Sequence, residues 1–267
     1  MTDVMADICA DLAAEQAELT AHLRHLAPEQ WLVDTPAVGW TVRDQIAHLA
    51  YFDGQAVIAA TDPERFTADL AAVVEGGDLG ALERRHLEIG RGMGGPEVLA
   101  WWERAAGELG ETYRPLDPAT RIPWYGPAMA ARSKVTARIM ETWAHGQDVR
   151  DALGVAAIPT GRLRHVCHIG VRARPFSFQV RGLTVPAGEV HVALVAPGGA
   201  TWEWGDPGAS GTVEGPALDF ALLVTQRRHR DDLALVARGT AADEWLDIAQ
   251  AFAGPPGPGR RPGQFAG

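Results

Sequence analysis

The stretch ARIMETWAHGQD occupies residues 137–148, and its pattern is typical of an α-helix. In a helix, residues four apart lie on one face, so Glu141 and His145 project side by side, with Asp148 one turn further along. A carboxylate and an imidazole at this spacing are suited to bind one metal ion. An exposed Glu–His pair that binds nothing has the same spacing, so the stretch alone leaves both interpretations open.

A third candidate ligand lies upstream, in the helix that follows Thr41. Thr41 is typical of a helix N-cap, and Asp44, three residues later, reaches back in a variant of the capping box. Asp44 and His48 are four residues apart on one stripe of this helix. Because facing helices of a bundle lie about 8–10 Å apart, side chains from two helices can bind one ion. Two histidines and one carboxylate leave open coordination positions, as in catalytic sites; taken alone, His48 is better explained as a core histidine.

Two aspartates lie one turn from the proposed ligands. Histidines that bind a metal usually donate their second ring N–H to a carboxylate or a carbonyl group. We therefore expect Asp44 and Asp148 to accept hydrogen bonds from the imidazoles and to orient them. Solvated carboxylates are the alternative.

The segment 113–130 is predicted to be an ordered loop rather than a linker. It contains four prolines and the run Trp124-Tyr125-Gly126, and long loops inside compact domains are disproportionately functional. We expect Trp124 and Tyr125, together with Trp143 of the ligand helix, to form the apolar walls of a substrate cleft.

Composition limits the classes of function. The chain has 267 residues, of which 46% are hydrophobic and 22% charged, as in ordinary globular proteins. Its net charge of −10 argues against a nucleic-acid partner, since phosphate binding needs a basic surface. Cys9 and Cys167 show no paired spacing, and we find neither a signal peptide nor an apolar run long enough to span a membrane. We therefore predict a cytoplasmic protein, a monomer or a homodimer, that acts on a small molecule without nucleic-acid or membrane partners.

The spacing of apolar residues changes after Gly154. Upstream, long amphipathic segments with short joins predict a helical bundle. Downstream, residues 190–194 alternate as in a half-buried strand. We predict an α plus α/β fold, with a helical domain over residues 1–160, a smaller α/β domain over 161–253 and a loose Pro/Gly-rich tail over 254–267.

Within the α/β domain, the sequence predicts four strands and three helices, of which the first spans 161–173 and the second follows Pro216. The strand at 190–194 is followed by a Pro-Gly-Gly turn, so the segment 201–204 is its expected partner. Further strands are predicted at 211–214 and 233–236, and a final helix at 241–252.

A group of three arginines is the one concentrated positive patch of this acidic sequence: Arg227, Arg228 and Arg230. The group is explained either by cations at a helix C-terminus, where they complement the helix dipole, or by a bidentate clamp for a carboxylate. As a clamp, Arg227 or Arg228 contacts an anionic substrate. The histidines and cysteine within 165–168 do not share one helical face, and an isolated cysteine such as Cys167 is usually buried and inert.

Several motifs resemble one known family. The segments GWTVRDQIAHL at 39–49 and ETWAH at 141–145 resemble the mycothiol-dependent maleylpyruvate isomerase family of the DinB-like superfamily. The segments PWYGP at 123–127, ETWAHGQD at 141–148 and AFAGPP at 251–256 look like a group of actinobacterial metal-binding proteins of that superfamily. The resemblance covers nearly the whole chain.

The resemblance implies a DinB-like four-helix bundle that binds a divalent metal, followed by a smaller α/β domain. The family's first histidine, its glutamate and its second histidine fall on His48, Glu141 and His145. Zinc is the usual metal, with nickel and iron as alternatives, and a low-molecular-weight thiol such as mycothiol works with the metal in relatives. The isomerases also use an essential arginine in the second domain, for which Arg227 or Arg228 is the nearest candidate.

Together, the motifs and the resemblance favour a metal- and thiol-dependent enzyme for a small electrophilic or unsaturated carboxylic acid. Cis–trans isomerisation by reversible thiol addition is the first hypothesis, and thiol transfer or detoxification of an electrophile is the second. A non-catalytic, metal-dependent small-molecule binding protein is the third, because the sequence shows no convincing intrinsic nucleophile.

Overall fold

A computed structural model describes residues 3–76 and 80–265 of the chain. The chain divides into two units, Met1–Ala157 and Ile158–Gly267. The first unit is helical, and the second combines helices with a four-stranded sheet, which confirms the predicted α plus α/β fold. The outermost positions of the predicted ranges, residues 1, 2, 266 and 267, lie outside the described residues.

Six α-helices account for most of the described residues of the first unit. They are α1 (Val4–Leu23), α2 (Val42–Thr61), α3 (Pro63–Glu75), α4 (Gly80–Arg91), α5 (Gly95–Tyr113) and α6 (Ala131–Leu153). The four longest, α1, α2, α5 and α6, pack against one another as a bundle. A 3₁₀ turn, Pro28–Leu32, connects α1 to the segment before α2.

A capping motif lies at one end of each of the two ligand helices. The Thr41 backbone N–H donates to Asp44 Oδ2 at 2.9 Å, and the Asp44 N–H donates to Thr41 Oγ1 at 3.3 Å, so the capping box at the start of α2 is confirmed. Gly154 ends α6 in the left-handed region, with φ of +67°, where a residue without a Cβ is favoured.

A buried ion pair fixes α2 against α6. Arg138 Nε donates to Asp53 Oδ1 at 2.7 Å, and both side chains are nearly inaccessible to solvent. Asp53 Oδ2 also accepts a hydrogen bond from Trp102 Nε1 of α5 at 3.0 Å. Because a buried carboxylate needs several partners to offset its desolvation, this cluster holds three helices in a defined register.

A small hairpin lies between α5 and α6. Its strands, β1 (Arg121–Ile122) and β2 (Met129–Ala130), pair antiparallel. The predicted loop is thus ordered, and the turn of the hairpin carries Trp124 and Tyr125, both partly buried against the bundle core.

The second unit is built around a mixed sheet. Its elements are α7 (Leu163–Arg172), α8 (Arg174–Gln179), β3 (Val190–Val195), β4 (Thr201–Trp204), β5 (Gly211–Pro216), α9 (Ala217–Val224), β6 (Val236–Arg238) and α10 (Thr240–Ile248), with a 3₁₀ turn at Arg230–Asp232. The strand order is β4-β3-β5-β6. β3 pairs antiparallel with β4, as the turn predicts, and parallel with β5.

Two expectations for the second unit are corrected. The last strand lies at 236–238 instead of 233–236, and the final helix ends at Ile248. The described part of the tail is not loose: the Gly263 N–H donates to Asp232 Oδ1 at 2.8 Å, and the Arg228 guanidinium lies 4.1 Å from the Phe265 ring centroid. These contacts link residues far apart in sequence, which local composition does not reveal.

No helix in the described ranges is both long enough and apolar enough to cross a membrane.

Candidate metal centre

The three predicted ligands meet between α2 and α6. Glu141 Oε2 lies 3.2 Å from His145 Nε2 and 3.5 Å from His48 Nε2. One ligand atom from each of the three side chains lies within 4.8 Å of the other two, and in the described part of the chain no other such group of His, Cys, Asp and Glu occurs. This convergence follows from the helical spacing of Glu141 and His145 and from the packing of α2 on α6.

The separations fit a divalent metal. Two ligand atoms that each lie about 2.0–2.1 Å from a tetrahedral zinc ion are roughly 3.3 Å apart. The two measured separations from Glu141 Oε2, 3.2 and 3.5 Å, bracket this value. The side chains of His48, Glu141 and His145 are 17%, 24% and 13% exposed, so the site has access to solvent and to small molecules.

The His145 imidazole is oriented by Gln45, which the sequence analysis missed. The Thr35 hydroxyl donates to the Trp40 carbonyl oxygen at 2.8 Å, so its oxygen accepts from Gln45 Nε2, also at 2.8 Å. Gln45 Oε1 then accepts from His145 Nδ1–H at 2.5 Å. In the neutral ring, Nε2 therefore keeps its lone pair on the side of Glu141. A lone pair and a carboxylate oxygen 3.2 Å apart repel unless a proton or a metal ion lies between them, so this pair is suited to bind a cation.

The electrostatics of the ligands agree with this arrangement. Burial by itself raises the pKa of Glu141, but hydrogen bonds and charge from His145 and His48 outweigh it and hold the pKa well below its ordinary value. Burial, followed by the charge of His145, lowers the pKa of His48 well below its ordinary value. An ionised carboxylate beside a neutral imidazole is the protonation state that binds a metal.

Asp44 does not orient an imidazole, which corrects one prediction. Its carboxylate accepts from Arg91 Nε at 3.0 Å and from the Thr41 N–H, and it is almost fully buried. His48 Nδ1 has no hydrogen-bond partner among the described residues. Asp44 thus serves the cap of α2 and an ion pair with α4. Asp148 is fully buried, which excludes a solvated carboxylate, and its orienting role stays a prediction.

Aromatic rings surround the histidines. The ring centroid of His48 lies 4.6 Å from Phe52, 5.3 Å from Trp40 and 5.0 Å from His86 of α4. Trp40 also stacks on His145, at 5.9 Å with an interplanar angle of 14°. These rings limit the water around the ligands on the bundle side.

The predicted cleft residues divide into two groups. Tyr125 and Trp124 lie one ring away from His48, because both contact Phe52, at centroid distances of 5.7 and 6.4 Å. Trp143 is buried elsewhere: it lies two residues from each ligand of α6, and two residues correspond to about 200° around a helix. The spacing alone would have shown that Trp143 faces away from the ligands.

The arginine cluster lies in the second unit, after the end of α9. Arg227 Nη1 donates to the Thr225 carbonyl oxygen at 2.6 Å, a contact of the kind expected at a helix C-terminus. Arg230 pairs with Asp243 and Asp247. A cavity of about 180 Å³ in this unit has Arg228 among its lining residues. A catalytic role for Arg227 or Arg228 stays a prediction.

Cys167 is inert in the structure, as the sequence predicts. It is fully buried, its Sγ donates to the Ala217 carbonyl oxygen at 3.4 Å, and burial raises the pKa of its thiol. A thiol that stays protonated in an apolar environment is neither a nucleophile nor a metal ligand.

The fold and the site define a class of protein: residues 12–150, just over half of the chain, match the mycothiol maleylpyruvate isomerase N-terminal domain, and the chain belongs to this family. The chain is 45% identical over 251 residues to the uncharacterized proteins Rv0036c and MT0041 of Mycobacterium tuberculosis, covering 94% of this chain and 97% of theirs. Two crystal structures, of the mycothiol-dependent maleylpyruvate isomerase and of a mutant of it, share the fold at 14% identity. Their TM-scores are 0.57 and 0.56, and both alignments cover 89% of this chain and 95% of the other.

Proposed function

We propose that this protein is a metal-dependent enzyme that acts on a small electrophilic or unsaturated carboxylic acid with the help of a low-molecular-weight thiol. The observation that carries the proposal is the convergence of His48, Glu141 and His145 at a partly exposed position, with ligand atoms within 4.8 Å of one another. Two imidazoles and one carboxylate leave coordination positions for other molecules, as in catalytic sites. Membership of the mycothiol maleylpyruvate isomerase family supports a thiol as the partner.

In this proposal, His48, Glu141 and His145 hold the metal, zinc before nickel or iron. A divalent metal bound there would lower the pKa of a thiol or water and polarise a carbonyl group. Gln45 fixes the tautomer of His145 through the 2.5 Å hydrogen bond to Nδ1. Trp40 and Phe52 cover the imidazoles and exclude water from one side, which strengthens electrostatic interactions in the site.

The reaction we favour is cis–trans isomerisation. A thiolate adds to one carbon of a conjugated double bond, the remaining single bond rotates, and the thiolate leaves with its electron pair as the double bond forms again. If the thiol stayed attached, the same site would act as a transferase or detoxify an electrophile. Isomerisation consumes no thiol, whereas transfer consumes one thiol per substrate, so product analysis separates the two reactions.

A four-way assay tests the proposal. Purified protein, either metal-loaded or stripped with a chelator, is incubated with maleylpyruvate in the presence or absence of mycothiol, and the loss of substrate absorbance is followed. We expect consumption only when both metal and thiol are present. Glu141→Gln should abolish it, while Glu103→Gln, which breaks the exposed Arg24–Glu103 pair of the same unit, should retain it. Binding of the acid without consumption under any condition would support the non-catalytic alternative and overturn the proposal.

A further inference from the structure

A cavity of about 150 Å³ lies in the first unit, where α2, α3, α4 and the turn of the small hairpin meet. An apolar cavity of about this volume holds a benzene-sized molecule. The metal ligands His48, Glu141 and His145 are not among its described lining residues. The cavity is therefore a separate place at which a small molecule can bind.

Three aromatic rings form the floor of the cavity, and they belong to Tyr51, Phe66 and Tyr125. Phe66 is 2% exposed and Tyr51 is 9% exposed. The Phe66 ring contacts Tyr125 with a centroid distance of 5.2 Å, and it stacks on Trp124 at 5.7 Å with an interplanar angle of 3°. Because each ring is held by its neighbours, the floor is a preformed apolar surface that suits another ring.

The charged lining residues lie on the solvent side of the cavity. They are Arg65 and Asp69 of α3 and Arg85 of α4. The side chains of Arg65 and Asp69 are 62% and 66% exposed, and Arg85 is exposed as well. The cavity thus has an open side, through which a small molecule reaches the buried rings.

These three residues carry one more positive than negative charge. Asp69 Oδ2 lies 3.8 Å from Arg65 Nε, one turn earlier on α3, so these two charges offset each other. Arg85 has no carboxylate partner among the described residues. Burial raises the pKa of Tyr51 and Tyr125, and the positive charge of Arg85 opposes that rise in both. The Arg85 guanidinium is therefore close enough to the rings for its charge to act on them.

We propose that this cavity is a binding site for a small aromatic carboxylate. The ring of the ligand packs against Tyr51, Phe66 and Tyr125, and its carboxylate accepts hydrogen bonds from Arg85. A guanidinium is suited to this contact because it binds a carboxylate in bidentate fashion. The volume of about 150 Å³ limits the ligand to one six-membered ring with a short substituent.

This site goes beyond the proposed function. The ring of Phe52 lies between it and the metal centre, since Phe52 contacts Tyr51 at 5.2 Å and His48 at 4.6 Å. Binding in the cavity requires neither metal nor thiol. Its failure and the failure of the isomerase assay are therefore independent results.

Benzoate is the probe for this site, and isothermal titration calorimetry measures its binding to metal-loaded protein and to the same protein after chelation. The chelated protein is needed because a carboxylate also binds metal ions directly. We expect a site with a dissociation constant of about 1 mM or below in both preparations, a range open to a ligand of this size. Benzyl alcohol and benzylamine, the neutral and cationic analogues, should bind at least about tenfold more weakly, since neither accepts a charge-assisted hydrogen bond from arginine.

Three variants locate the site, each checked for folding by circular dichroism. Arg85→Gln should weaken benzoate binding at least about tenfold. Arg84→Gln removes the neighbouring exposed guanidinium, which does not line the cavity, and as the matched control it should keep the wild-type dissociation constant. Val73→Phe places a ring in the cavity that Val73 lines and should abolish binding.

Several results would overturn the proposal. The first is the absence of saturable benzoate binding to the wild-type protein. The second is binding that disappears on chelation, which would place the carboxylate at the metal centre. The third is equal or tighter binding of benzyl alcohol or benzylamine, and the fourth is benzoate binding that Arg85→Gln or a folded Val73→Phe leaves unchanged.

Discussion

Gln45 Oε1 lies 2.5 Å from His145 Nδ1 and links α2 to the second histidine of the metal centre. The two residues are 100 positions apart in sequence, and each lies close to another ligand: Gln45 precedes His48 by three residues and His145 follows Glu141 by four. The hydrogen bond therefore couples the orientation of one ligand to the helix that carries another. Loss of this hydrogen bond should therefore be measurable as a lower affinity for the metal.

Replacing Gln45 with leucine should weaken metal binding by about 10- to 100-fold, since groups that orient metal-binding histidines typically contribute that much. The measurement is a zinc dissociation constant from competition with a chromophoric chelator. Gln55→Leu, nearly three turns later on α2, is the matched control and should keep wild-type affinity. Equal affinities for both variants and the wild type would show that the hydrogen bond does not matter for binding.

Removing the carboxylate of Asp53 should destabilise the bundle strongly. Asp53→Ala leaves the Arg138 guanidinium buried without its partner, and breaking such a pair costs about 3–5 kcal/mol. Urea unfolding of metal-free protein gives the free energy of unfolding. Glu103→Gln, which breaks the exposed Arg24–Glu103 pair, is the control and should change that free energy by less than about 1 kcal/mol. Similar losses in the two variants would contradict the inferred role of the buried pair.

The pKa of Lys134 predicts a pH dependence of stability. Burial, followed by the positive charge of Arg138, lowers the pKa of Lys134 in the folded chain to about 6, although Glu141 opposes the shift. The unfolded chain holds this proton to about pH 10.4. Between these values the unfolded state binds more protons, so stability rises with pH. Relative to Lys134→Met, the free energy of unfolding of the wild type should increase by up to about 1.4 kcal/mol per pH unit between pH 7 and 9. A difference between the two proteins that does not change with pH would mean that the folded-state amine is charged.

The predicted carboxylate clamp can be separated from a structural role. If Arg227 or Arg228 contacts an anionic substrate, its replacement by alanine should lower kcat/KM by about ten- to a hundredfold, since one charge-assisted hydrogen bond contributes about 1.5–3 kcal/mol. Metal content and Tm should stay near the wild-type values. Arg230→Ala, which disrupts pairs with Asp243 and Asp247, is the control for lost stability. If the first two variants lose only stability, the helix-cap interpretation is correct.

The features that depend only on residues close together in the chain could be predicted from the sequence. The capping box of Thr41 and Asp44 depends on residues three positions apart, and the ligand pair Glu141 and His145 depends on residues four positions apart. The alternation of apolar and other residues at 190–194 likewise predicted the strand β3. Local spacing carries this information because helices and strands have fixed periods.

The features that depend on tertiary packing could not be predicted from the sequence. The Asp44 carboxylate bonds to Arg91, 47 residues away, and no local pattern distinguishes that partner from an imidazole. Gln45 acquires its role only because α2 packs on α6, and the tail is held by Asp232 and Arg228. One signal was present but unused: the offset of Trp143 from the ligands, about 200° around the helix.

The metal content of the purified protein tests the central claim most directly. Wild-type protein and His145→Ala, purified side by side, are analysed by inductively coupled plasma mass spectrometry after removal of loosely bound ions. We predict one divalent metal ion per wild-type chain, with zinc the most abundant, and little or none in the variant at equal folding by circular dichroism. Equal metal content in the two proteins, or no metal in wild-type protein even after incubation with excess zinc, would contradict the assignment of His48, Glu141 and His145 as a metal centre.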